Sequence, residues 1–303
     1  MNSNEIVLIT GGTGMIAQRV SRLLENSGYE VRFLSRNKKS EKHFLWDINT
    51  GFIDTNVFNH LDHIVHLAGA DISEKRWSKQ RKKEILDSRI KSTQLLFNAI
   101  KKHTNQLKTF VATSAVGYYG TSTKDVLFTE ESPNGHDFLA HVCKLWEDEA
   151  DLFSTFNNTR VVKLRFGVVL DSNGGAFAKM KKPITMGFGA VLGNGQQYIP
   201  WIHIEDLCNL LLFTIENDEL SGVFNAVAPQ QITNEQLTYL IAEKLHKTIW
   251  LPKAPSFVLK FIFGELSSII LKGNRVSCQK LILSKFAFKY PAIDQALDHL
   301  LEK

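Results

Sequence analysis

A chain of 303 residues is long enough for one large α/β body or for a body with an added lobe. With 44% apolar and 22% charged residues it has the composition of a soluble globular protein, and its net charge of +5 is too scattered for a nucleic-acid-binding face. Cys143, Cys208 and Cys278 lie far apart without metal-ligand spacing, which excludes a disulfide framework, suggests no metal centre and fits a reducing compartment.

The apolar run at residues 5–10 predicts a buried strand, and Gly11-Gly12-Thr13-Gly14-Met15-Ile16-Ala17 follows it at once. An amphipathic helical pattern then runs through Val20, Leu23 and Leu24 to Gly28. Strand, glycine turn and helix in that order build a site for a nucleotide pyrophosphate. The turn lets backbone approach the phosphates, and the unpaired N–H groups of the helix start point at them. The candidate contacts are Gly11, Thr13, Gly14, Met15 and Ile16. The alternative is a tight turn that needs glycine only for its shape.

The next strand, at 31–34, ends in Ser35 and Arg36, with Lys38 and Lys39 beyond and no carboxylate before Glu41. In a dinucleotide fold this position faces the adenosine ribose, where an acidic residue selects NAD and an arginine accommodates the 2′-phosphate of NADP. Ser35 and Arg36 therefore favour NADP (NADPH) over NAD, against the alternative of a solvated basic loop.

Further strands are expected at 63–68, 108–113 and 160–165, alternating with helices from about 78 to 102 and 139 to 156. Such alternation predicts a Rossmann-type, doubly wound parallel sheet covered by helices on both faces. On the first of these helices Lys91 reads as solvent-facing, and Arg89 as facing either solvent or the cleft. Ser114, directly after a buried strand, falls at the carboxyl edge where ligands bind. Arg165 ends the neighbouring strand and needs an anion or a structural carboxylate such as Asp206. His66 and His203 sit in apolar strand contexts and read as structural histidines.

Residues 171–200 are glycine-rich, as substrate-side loops are, and Gln196, Gln197 and Trp201 are candidates to wrap a ligand. The chain divides into a Rossmann-type NAD(P)-binding domain at 1–250 and a small, mainly helical C-terminal domain at 251–303, punctuated by Pro252, Pro255 and Pro291. The apolar stretches at 207–215 and 257–271 are broken and too short to span a bilayer, and no basic-then-apolar leader precedes the first strand. A cytoplasmic protein with a small-molecule substrate, and with no nucleic-acid or membrane partner, is the expectation.

Several motifs together carry a resemblance. Thr10–Ala17 is similar to TGGTGFIG, with Ala17 where the third glycine normally sits. His66-Leu67-Ala68-Gly69, Thr113-Ser114-Ala115 with Tyr118-Tyr119-Gly120, and Trp201-Ile202-His203 followed by Asp206 complete the set. The chain resembles the extended short-chain dehydrogenase/reductase family of nucleotide-sugar epimerases and dehydratases. Ser114–Gly120, Gly193–Gln197 and Gly264-Glu265-Leu266 with Arg275-Val276-Ser277 are similar to a narrower subgroup, the epimerase family proteins of the 39U type, whose C-terminal domain has no known role.

The resemblance implies that Leu67, Ala68 and Gly69 line the cofactor and that Asp47 caps the adenine; an exposed loop aspartate is the alternative. It also implies a tyrosinate that takes a hydroxyl proton, a lysine four residues later that tunes it and clasps the ribose, and a serine that orients the oxygen. Ser114 takes the serine's place and Lys144 the lysine's, but Ala140 stands where the tyrosine belongs. Tyr118 or Tyr119, or else His141 or Cys143, are the substitutes for the proton carrier, with Tyr119 preferred. The expected function is an NADP(H)-dependent oxidoreductase or epimerase-like enzyme acting on a small polar or nucleotide-linked substrate. The alternative is a catalytically degenerate NADP(H)-binding regulator. A homodimer is expected by analogy alone.

Overall fold

In the computed structural model the described residues are 5–103, 106–121 and 126–302; Lys303, the last residue of the C-terminal segment, lies outside them. Ile6–Thr10 forms β1, in which all five side chains are buried, and the glycine turn leads into α1 (Met15–Asn26). There follow β2 (Glu30–Ser35), β3 (His43–Asp47), β4 (Phe52–Ile53), β5 (His63–His66) and the long α2 (Lys79–His103). Next come β6 (Thr109–Ala115), β7 (Leu127–Phe128), α3 (Phe138–Asp151), β8 (Arg160–Phe166) and β9 (Val168–Leu170). The remainder is α4 (Gly175–Thr185), β10 (Trp201–His203), α5 (Ile204–Glu216), β11 (Gly222–Ala226), α6 (Asn234–Lys244), α7 (Ser256–Phe263), α8 (Ser267–Leu271), β12 (Arg275–Val276), α9 (Gln279–Leu283) and α10 (Ile293–Leu301).

The main sheet has the order β11–β8–β6–β5–β1–β2–β3–β4, parallel throughout except for β4 at the edge. The doubly wound Rossmann-type expectation holds. Strand order reverses beside β1, which pairs with both β2 and β5, so the ligand crevice of such a sheet opens at the carboxyl ends of β1 and β5. Val20 and Leu24 of α1 and Leu207 and Leu211 of α5 bury one face of the sheet. Leu96 and Ile100 of α2 and Ala150 of α3 bury the other.

Three features differ from the sequence reading. Residues 43–47 form a strand, because Phe44 and Trp46 pack into the second core while His43 stacks on Phe33 at 4.8 Å. The helix expected to reach 156 stops at Asp151 and tightens into a 3₁₀ turn at Leu152–Thr155, which seats Phe153 on Phe110 at 3.6 Å. The C-terminal segment also contributes β12, which pairs with β7 in parallel. That segment shares cores with the rest of the chain: Leu281 and Phe286 join the cluster under α1 and α5, and Ile293, Ala296, Leu297 and Leu300 pack with Phe177, Trp201 and Leu237.

Candidate functional site

The glycine turn is shaped for a ligand's close approach. Gly11 has φ +67°, and a Cβ there would sit 3.2 Å from the Ala68 backbone, so the Gly11 turn and the Leu67–Gly69 loop touch. A Cβ on Gly12 would lie 2.7 Å from the Phe33 ring. Thr13 and Gly14 are exposed, and Gly14 caps α1 without any side chain bonding to the first-turn amides. The N–H groups at Met15 and Ile16 thus face outward, as an anion requires. Thr10 Oγ1 accepts the amides of Leu67 and Ala68, each at 3.0 Å, and bonds His66 Nδ1 at 2.8 Å. With two amides donating to it, the threonine gives its own proton to Nδ1; the Nε2 edge of the ring meets Thr93 and Ser92 of α2. Burial pushes the His66 pKa down to about 3, so the ring is neutral and braces the loop.

At the end of β2, Ser35 is buried and its hydroxyl donates to the Asn37 carbonyl at 2.6 Å. Ser35 stands beside Arg36 at the end of β2, the position where the sequence reading expects the 2′-phosphate. Arg36 is exposed and makes no ion pair among the described residues. Asp47, at the end of β3, accepts the Asn49 amide at 2.9 Å and the Thr50 hydroxyl at 3.1 Å, and these bonds hold its carboxyl below the usual range.

Ser114, Arg165 and Asn225 are register partners on β6, β8 and β11, and their side chains build one buried polar network. Ser114 Oγ donates to Glu147 Oε1 at 2.7 Å. Arg165 holds both carboxylate oxygens, Nε to Oε1 at 2.8 Å and Nη2 to Oε2 at 2.9 Å. Its Nη1 donates to Tyr119 Oη at 2.9 Å, and that hydroxyl donates to Asn225 Oδ1 at 2.6 Å. Asn225 in turn donates to the Ser277 carbonyl, tying the C-terminal segment to the network. The Tyr118 ring lies under the guanidinium at 3.4 Å.

This arrangement bears on five sequence assignments, those of Arg165, Lys144, Tyr119, Gln197 and Trp201. The carboxylate that neutralises Arg165 is Glu147; Asp206 instead accepts the Lys289 and Tyr290 amides. Lys144, half-exposed, pairs with Asp148 one turn along α3, while Cys143 and Glu147 are buried on the inward face. Cys143 is buried on the same face of α3 as Glu147, whose carboxylate accepts from Ser114, so the pair four residues apart on the serine's side is Cys143 and Glu147. Burial pushes the Cys143 thiol up to about 11, and burial pushes the Tyr119 phenol up to about 12, where its hydroxyl is also fixed by Asn225. A locked, protonated phenol contradicts Tyr119 as a mobile base. Finally, Trp201 is fully buried with its indole donating to the Gln230 carbonyl, and Gln197 ties the Leu192 and Ile270 carbonyls together; both are internal braces rather than ligand-facing groups.

His203 caps α5, accepting the Glu205 amide at 3.1 Å, and burial lowers its pKa to about 4. Among the described residues no cluster of His, Cys, Asp and Glu is arranged to hold a metal ion, and no helix is long and apolar enough to cross a membrane.

Comparison with known proteins adds to this geometry. Residues 7–141 match the NAD dependent epimerase/dehydratase family, and residues 254–300 match a domain of unknown function, DUF1731. The chain is 35% identical over 300 residues to epimerase family protein YfhF of Bacillus subtilis, covering 97% of each. The chain belongs to the epimerase family. Among solved epimerase-family structures, human SDR39U1 with NADPH superposes with a TM-score of 0.89 at 34% identity, covering 98% of this chain and 99% of the human one. UDP-glucuronic acid 4-epimerase of Bacillus cereus, solved with UDP-glucuronic acid and NAD, shares the fold alone: TM-score 0.77 at 17% identity, over 98% of both chains.

Proposed function

We propose that this epimerase-family protein binds NADP(H) along the carboxyl edge of its sheet and receives a small polar carbonyl substrate at Ser114. The observation that carries the choice of NADP(H) is the end of β2, where Arg36 is exposed without an ion-pair partner and no carboxylate stands beside it. The outward amides at the start of α1 fit the diphosphate, and the human relative contains NADPH. When bound, the nicotinamide supplies hydride exchange.

The residues around Ser114 handle the proton. The Cys143 thiol stays protonated up to about pH 11, so at neutral pH it donates to a developing alkoxide far more readily than it accepts from an alcohol. Glu147, fixed by Arg165, orients the serine hydroxyl. Carbonyl reduction therefore fits this site better than tyrosinate-style alcohol oxidation. A second reading, an NADP(H)-bound regulator without turnover, is favoured by the absence of any Tyr-x-x-x-Lys pair facing Ser114.

Arg36→Ala is expected to weaken NADPH binding about 10–100-fold, the loss of one or two charge-assisted hydrogen bonds, and to leave NADH unchanged by calorimetry. Stopped-flow absorbance at the nicotinamide band over a carbonyl panel separates the two readings. Signal loss with any aldehyde or ketone supports reduction, and a flat trace across the panel supports the regulator.

A further inference from the structure

Arg89, on the cleft-facing side of α2, is a guanidinium left over by everything described so far. It is partly buried, its carbon lies 5.1 Å from the Trp146 ring, and a Cβ on Gly69 would sit 3.1 Å from it. Its Nη1 donates to the carbonyls of Ala70, at 3.2 Å, and Ile85, at 3.0 Å. Among the described residues no carboxylate lies within ion-pair distance, and no hydrogen bond of the Nε and Nη2 donors is seen. Its charge reaches the buried Cys143 thiol, which shares a face of α3 with Glu147, the partner of Ser114. The Nε and Nη2 donors are not sealed from solvent, so they are open to a ligand's acceptor oxygens at the mouth of the crevice.

The surroundings say which acceptor. The carboxyl ends of β1, β5 and β6 are adjacent, carrying the Gly11 turn, the Leu67–Gly69 loop and Ser114 in that order. A dinucleotide whose diphosphate rests on the Gly11 turn and whose far end reaches Ser114 must pass over the Gly69 loop, beside Arg89. Lys144, which the family resemblance gave the task of clasping the ribose, pairs with Asp148 on the exposed part of α3.

We infer that Arg89, reaching in from α2, grips the nicotinamide-side half of the dinucleotide through its ribose and adjoining phosphate oxygens, in place of the lysine expected on α3. This rests on the NADP(H) reading above. Arg89 is a binding residue, and its planar fork suits two neighbouring oxygens better than an ammonium does.

The test compares NADPH with adenosine 2′,5′-bisphosphate, which keeps the adenosine and 2′-phosphate but lacks the nicotinamide half. Arg89→Met is expected to weaken NADPH at least tenfold and to leave the bisphosphate within twofold of wild type. Arg89→Lys is expected to recover part of the NADPH affinity. Bisphosphate binding doubles as the check that each variant is folded. NADPH affinity unchanged in Arg89→Met overturns this inference alone, and so does an equal loss for both probes. A wild-type protein that binds neither probe overturns the NADP(H) reading and this inference with it.

Discussion

Arg165 and Glu147 are nearly solvent-free, with side-chain exposures of 3% and 6%, and each satisfies the other through two hydrogen bonds. A buried pair of this kind contributes little net stability but is costly to break. Glu147→Gln leaves the guanidinium without its countercharge and is expected to cost about 3–5 kcal/mol in urea unfolding. Tyr119→Phe removes two hydrogen bonds, the one that Arg165 Nη1 donates to the phenol and the one that the phenol donates to Asn225, and is expected to cost about 2–3 kcal/mol while NADPH affinity stays the same. A loss of cofactor binding in Tyr119→Phe contradicts the bracing role assigned to this phenol.

The buried histidines set a pH dependence whose sign follows from their lowered pKa values. His66 protonates near 3 and His203 near 4 in the folded chain, against 6.5 ordinarily. Between those limits the unfolded chain holds more protons than the folded one. Stability is therefore full above about pH 6.5 and falls as pH drops through 6.5 towards 4, by up to about 1.4 kcal/mol per pH unit for each histidine. Urea midpoints at pH 7, 5.5 and 4.5 read this directly; equal midpoints across that range contradict it.

At the scale of elements, the strand–turn–helix at residues 6–26 was legible because each local signal agrees: a fully buried apolar run, glycines where φ is positive or backbones touch, and an amphipathic helix behind them. The long helix predicted at 78–102 spans Lys79–His103 for the same reason. β3 was not legible, since its strand state comes from pairing with β2 and from the core contacts of Trp46, which no window of sequence displays. The partner of Ser114 was hidden likewise. Glu147 is remote in sequence on an ordinary-looking helix, and only the packing of α3 on β6 brings the two together. The substitution that tests the turn itself is Gly11→Ala. It places a Cβ at φ +67° against the Ala68 backbone and is expected to cost about 1–2 kcal/mol, with a parallel loss of NADPH affinity.

Across the whole molecule, the C-terminal segment is built into the body. Leu281 and Phe286 complete one core, residues of α10 complete another, and Asn274 and Ser277 bond Gly120 and Asn225 near the site. The full chain is expected to unfold in one transition, with tryptophan fluorescence and circular dichroism tracking each other. Residues 1–253 alone are expected to lack a cooperative transition, because removing the segment opens both cores to water. Two separated transitions in the full chain mark the segment as an independent unit and contradict this.

The proposed grip on a phosphorylated dinucleotide would join the glycine turn, Arg36 and Arg89 into one site. Calorimetric titration of cofactor-free protein with NADPH and, separately, NADH is the most direct measurement of it. NADPH is expected to bind at least tenfold more tightly than NADH; equal affinities, or no heat from either, contradict the account.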